Sequence, residues 1–140
     1  MKNILVLCTG NSCRSQMAHG YLNHFQNKLA NIYSAGIETH GLNPMAVEIM
    51  KEDNVDLSHH TSNHVDEYQG IEWDFIITVC DHAREHCPFI PSKNAIRVHQ
   101  NFPDPSKVKG TDKEIVEAFR KTRDQIKEFC HDFVKEELMD

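Results

Sequence analysis

The segment Cys8-Thr9-Gly10-Asn11-Ser12-Cys13-Arg14-Ser15 sets a thiol and a guanidinium around a short polar turn. An apolar run, Ile4 to Leu7, precedes it, and a helical pattern follows it. A turn between strand and helix aims backbone N–H groups and a helix N-terminus at one point, which makes an anion site. A thiolate at its base is stabilised by those dipoles and by Arg14, so the Cys8 pKa is expected to fall. The planar fork of Arg14 suits two oxygens of a tetrahedral oxyanion. Gly10 permits close backbone approach, and Asn11 can hold a left-handed turn. A thiolate facing a bound oxyanion is a nucleophile aimed at phosphorus or arsenic.

These residues need a frame to position them. The 140 residues fit one compact domain, and 39% hydrophobic with 26% charged residues is an ordinary globular composition. Asn3–Leu7, Ile32–Ala35, Trp73–Val79 and Ala95–Val98 read as strands. Ser15–Leu29 reads as a helix whose buried stripe is Ala18, Leu22, Phe25 and Leu29. Pro44–Asp53 is a second helix, with Asn43 as cap. Thr111–Met139 is a third, opened by the capping box Thr111 and Glu114, with stripe Ile115, Phe119, Thr122, Ile126, Phe129 and Phe133. A mixed loop from Pro88 to Gly110 holds four of the five prolines. This alternation predicts an α/β fold, a parallel sheet with helices on both faces. Ligands bind such sheets beyond the strands' carboxyl ends, where Cys8, Cys80 and the loop after Val98 all fall.

A net charge of −6 argues against nucleic-acid or anionic-membrane binding. The N-terminal apolar run is too short for a signal peptide or spanning helix, so a cytoplasmic location is expected. Five cysteines, at 8, 13, 80, 87 and 130, then make reactive thiols or metal ligands better questions than a disulfide framework.

CTGNSCRS resembles the phosphate loop of low-molecular-weight protein tyrosine phosphatases and of the arsenate reductases that share their fold. The resemblance implies a four-stranded parallel sheet in flavodoxin-like order. It makes Cys8 the nucleophile, Arg14 the oxyanion clamp, Thr9 to Arg14 the cradle, and Ser15 a support for the thiolate. Asp104, in Phe102-Pro103-Asp104-Pro105, matches the family's general acid. Phosphatases of this fold usually place Pro after the Arg-Ser, where this chain has Gln16. Cys80-Asp-His-Ala-Arg-Glu-His-Cys87-Pro88 resembles the redox pair of thioredoxin-coupled arsenate reductases, as does Tyr33 to Gly41. The implied chemistry is reduction of arsenate to arsenite through a Cys8/Cys80/Cys87 disulfide relay, with thioredoxin as reductant and phosphate and sulfate as competing oxyanions. A monomer is expected, with no cofactor and no metal.

Two cysteines bond only when their Cα atoms come within about 7 Å. Seven helical steps span about 10 Å and seven extended steps over about 20 Å. If residues 81–86 are helical when reduced, a Cys80–Cys87 bond must unravel them.

Cys13 could protect Cys8 as a disulfide or simply pack, and Cys130 reads as core. Cys80, His82, His86 and Cys87 could ligate zinc, but they do not form two Cys-x2–4-Cys pairs. His59 and His60 read as surface residues. Some reductases of this family bind potassium near the loop; Asn11, Ser34 and Thr61 match, but His19 and Asn63 replace the acids, so no potassium site is expected. Two other readings stand beside arsenate reduction. One is a tyrosine phosphatase working through a Cys8 phosphocysteine. The other is a non-enzymatic redox or metal sensor using Cys80 and Cys87.

Overall fold

A computed structural model describes residues 1–86, 90, 92 and 94–139, residues 84–86 by backbone alone. Cys87 and the start of the proline-rich loop lie outside the described residues.

Four strands form one parallel sheet: β1 (Lys2–Cys8), β2 (Ala30–Gly36), β3 (Phe75–Thr78) and β4 (Ile96–His99). Their order, β2-β1-β3-β4, puts the site-bearing β1 in the interior. Successive β1 side chains point to opposite faces. Ile4 and Val6 join one buried cluster with Ile77, and Leu5 and Leu7 join the other with Ile76. Four helices follow the strands: α1 (Arg14–Phe25), α2 (Pro44–Glu52), α3 (Asp81–His86) and α4 (Asp112–Glu137). The expected cover on both faces is uneven. Helices α1, α2 and α4 bury Met17, Tyr21, Leu22, Ile49, Met50, Phe119, Ile126 and Phe133 on the first face. The second is closed by Val65 and Tyr68 of a 3-10 turn, with Tyr33, Ile71, Trp73 and Ile90.

Helix α2 begins as its sequence predicts: the Asn43 side chain accepts from the N–H groups of Met45 and Ala46, and Pro44 fills the first turn. The Thr111–Glu114 capping box opens α4, and Phe119, Thr122, Ile126 and Phe133 of its stripe are buried. Helix α1 corrects the expectation. It stops at Phe25, and Leu29 is exposed. Gln26 breaks it: its Oε1 accepts from the N–H groups of Leu29 (2.6 Å) and Ala30 (2.8 Å), and Lys28 turns left-handed at φ +56°. The strand expected over Trp73–Val79 narrows to β3. The expected loop at 88–110 contains β4 and a 3-10 turn, Pro105–Lys107. No helix among the described residues is long and apolar enough to cross a membrane.

Candidate active site

At the carboxyl ends of β1 and β3 lies a cleft of about 490 Å³, lined by Cys8, Thr9, Gly10, Cys13, Arg14, Cys80 and Asp104 among others. Its floor is the loop from Cys8 to Arg14. Four consecutive carbonyls of that loop are engaged from outside. Thr9 O accepts from Glu38 N–H (3.1 Å), and Gly10 O from His40 N–H (3.1 Å) and Ser62 Oγ (2.9 Å). Asn11 O accepts from Gln16 Nε2 (3.0 Å), and Ser12 O from Asn43 N–H (2.9 Å). In a trans peptide the N–H opposes the preceding carbonyl. With four carbonyls turned outward, the N–H groups of residues 10–13 converge inward, as an anion cradle requires.

Asn11 makes the loop's sharp turn. It sits at φ +48° and is fully buried. Its Nδ2 donates to Ser34 O (3.2 Å) and Asn63 O (3.4 Å), while its Oδ1 accepts from Ser15 Oγ (2.7 Å). Gly36, at the end of β2, lets this turn approach: a Cβ there would lie 2.7 Å from Thr9 O and 2.9 Å from Asn11 N.

Gln16 is a site residue that sequence reasoning passed over, noting it only where phosphatases usually carry proline. It is fully buried and donates to Asn11 O and to Thr61 O (2.9 Å). Its Oε1 is therefore the acceptor for His60 Nδ1 (2.9 Å). His60 is thus a half-buried support of the loop, which corrects its reading as a surface residue; His59 is exposed. His19 bonds Ser34 Oγ through Nδ1 (2.8 Å), and burial, with His60 and His59 beside it, pushes its pKa down to about 3. Asn63 accepts from Thr61 Oγ1 (2.8 Å) and donates to Glu67 (3.0 Å).

Arg14 opens α1 with its side chain along the cleft. Its Nη1 donates to Phe102 O (2.9 Å), and its Nη2 lies 3.5 Å from Asp104 Oδ2. Its Nε is a buried donor with no hydrogen-bond partner among the described residues. An unsatisfied buried donor costs about 1–3 kcal/mol, which an arriving oxyanion would relieve. Asp104 caps the 3-10 turn, its Oδ1 accepting from the N–H (3.0 Å) and Oγ (2.6 Å) of Ser106. Its other oxygen remains toward Arg14.

Two of the three described site cysteines, Cys8 and Cys80, share an ionisation. Cys8 ends β1, Cys80 follows β3, and both thiols line the one cleft, each perturbing the other's ionisation. The acidity expected of Cys8 belongs here to the Cys8–Cys80 pair. The neighbouring Cys80 thiol and burial raise the Cys8 pKa against the pull of Arg14. The Cys80 pKa is lowered in turn, first by the Cys8 thiol and then by Thr9 and the Ala83 N–H, so the two thiols hold one acidic proton between them. Thr9 Oγ1 lies 3.3 Å from Cys80 Sγ and 3.0 Å from His82 Nδ1. The pair shares one proton and one negative charge, so either sulfur can serve as thiolate. Cys13 is buried, its pKa pushed up to about 12 by desolvation and by Asp104. Cys130 is buried in the core, as its sequence position predicts. Beyond Cys80 the backbone of residues 81–86 is helical, as expected, while the separation of Cys80 and Cys87 lies outside the described residues. So does the four-residue zinc reading, which needs Cys87 and the His86 side chain.

Residues 3–139 match the low molecular weight phosphotyrosine protein phosphatase family, and the chain belongs to it. Several similar curated relatives are named arsenate reductase. That of Halalkalibacterium halodurans is 49% identical over 125 residues, 89% of each chain. That of Bacillus subtilis is 44% identical over 125 residues, again 89% of each. Among solved structures, an arsenate reductase in the reduced state superposes with a TM-score of 0.78 at 26% identity, covering 97% of this chain and 98% of that one. An arsenate reductase in the phosphate binding state gives 0.74 at 26% identity with the same coverage.

Proposed function

We propose that this protein reduces arsenate to arsenite with thiol electrons and is returned to its reduced form by thioredoxin. The observation that carries the reading is that Cys80 shares one cleft with Cys8 and its oxyanion cradle, the two thiols titrating as a pair. A phosphatase needs one nucleophilic sulfur there. A reductase needs a second sulfur within reach of the first, and Cys80 supplies it.

Arsenate docks on the inward N–H groups and the Arg14 fork, where the unpaired Nε gains a partner. The proton between the sulfurs moves to Cys80, and the Cys8 thiolate attacks arsenic. Asp104, poised beside Arg14, protonates the departing oxygen, which leaves as water. With its proton released, Cys80 attacks the Cys8 sulfur. The S–As electron pair stays on arsenic, arsenite departs, and a Cys8–Cys80 disulfide remains. Cys87 then attacks Cys80, frees the Cys8 thiolate and leaves a Cys80–Cys87 disulfide. Thioredoxin takes up that bond by dithiol exchange. Phosphate and sulfate occupy the same cradle as competitors, and the chain works as a monomer.

One experiment tests the electron count. Reduced protein without a reductant should release one arsenite per chain and lose two thiols. Release with no loss of thiols, or no arsenite at all, would overturn the proposal.

A further inference from the structure

Helix α3, which a Cys80–Cys87 bond would unravel, is fastened at its first residue. His99, the last residue of β4, is paired in register with Thr78, the last residue of β3. Its ring bridges outward: Nδ1 lies 2.6 Å from Thr78 Oγ1, and Nε2 lies 2.6 Å from Asp81 Oδ1. Because an ionised Asp81 carboxylate only accepts, Nε2 carries the proton and donates to it. The backbone N–H of the same Asp81 donates to Asn101 Oδ1 (3.0 Å). Asp81 directly follows Cys80 and opens α3. A six-residue helix has little stability of its own, so ties at its first turn weigh heavily.

We infer that His99 is a positioning residue for the thiol relay. Through Asp81 it latches the first turn of α3 in the reduced protein, opposing the unravelling that a Cys80–Cys87 bond demands. This rests on the relay proposed above and adds to it a residue that never touches substrate. The latch stabilises the dithiol form alone, so it makes the disulfide more readily reduced. Thr78 fixes the ring, and the β3–β4 register fixes Thr78 against His99, so the latch is set by the sheet rather than by the loop that follows.

The redox midpoint of the Cys80/Cys87 couple, titrated in dithiothreitol buffers, tests this. Each step exchanges one protein dithiol and disulfide for the buffer's own. His99→Phe should favour the disulfide about fivefold, moving the midpoint about 20 mV more negative, since tenfold is about 30 mV for a two-electron couple. Asp81→Ala should give the same shift, and the double variant no more than either alone. Asp81→Asn, which keeps an oxygen acceptor for Nε2, should stay within about 5 mV of the parent. Midpoints for His99→Phe and Asp81→Ala within about 5 mV of the parent would overturn the latch. So would additive shifts in the double variant. If the parent shows no Cys80/Cys87 couple, the relay itself falls. The latch is then decided by amide exchange at residues 84–86 in the reduced protein, which must quicken in both single variants or the latch is wrong.

Discussion

Cys8→Ala is expected to abolish arsenate reduction and aryl-phosphate hydrolysis together, each by about 10⁴-fold or more, because both begin with this sulfur. The fold should survive, since the cradle's carbonyls are held by Glu38, His40, Ser62, Gln16 and Asn43 rather than by the thiol. A second effect separates a lost nucleophile from a damaged site. The Cys8 thiol is the largest contributor to the low pKa of Cys80. In the parent, Cys80 alkylation should persist down to about pH 5 and fall below it as the thiolate takes up its proton. In Cys8→Ala that fall should occur at a higher pH. An unchanged alkylation profile would mean that the two sulfurs do not share a proton. Arsenate turnover above a tenth of the parent's would remove Cys8 from the chemistry.

Cys80→Ser and Cys87→Ser should each stop sustained arsenate reduction while sparing aryl-phosphate hydrolysis to within about threefold. Phosphate release needs only Cys8, Arg14 and Asp104, whereas arsenate reduction must also dispose of two electrons. The variants should fail differently. Cys87→Ser completes one turnover and stalls as Cys8–Cys80, releasing one arsenite per chain. Cys80→Ser loses the sulfur that Cys8 hands its arsenic adduct to, and releases none. Mass spectrometry of the alkylated products distinguishes the two. Continued thioredoxin-coupled turnover by either variant would contradict the relay.

Much of this site was legible because its parts are local. Strand, polar turn and helix are consecutive from Lys2 to Phe25, so Cys8 and Arg14 could be placed from spacing, and the left-handed Asn11 from its residue type. The caps of α2 and α4 were legible for the same reason, each lying within four residues of what it caps. What escaped depends on partners far along the chain. The ionisation of Cys8 is not set by its loop alone, because Cys80, seventy-two residues on, shares its cleft and the two thiols titrate together. Gln16 and His60 join across forty-four residues, and only the buried Gln16 amide shows why that position is polar. The Thr78–His99–Asp81 chain needs the β3–β4 register before it exists at all. The early end of α1 is a different failure: apolar spacing continued to Leu29, but the Gln26 side chain captured the backbone first.

The central claim is that this cradle moves electrons rather than only phosphoryl groups. Steady-state turnover of arsenate with thioredoxin, its reductase and NADPH, set beside hydrolysis of an aryl phosphate by the same preparation, tests it most directly. The account predicts NADPH oxidation that depends on arsenate and is stoichiometric with arsenite, competitively slowed by phosphate, and faster than aryl-phosphate hydrolysis. Aryl-phosphate hydrolysis without arsenate-dependent NADPH oxidation would contradict it and make the protein a phosphatase.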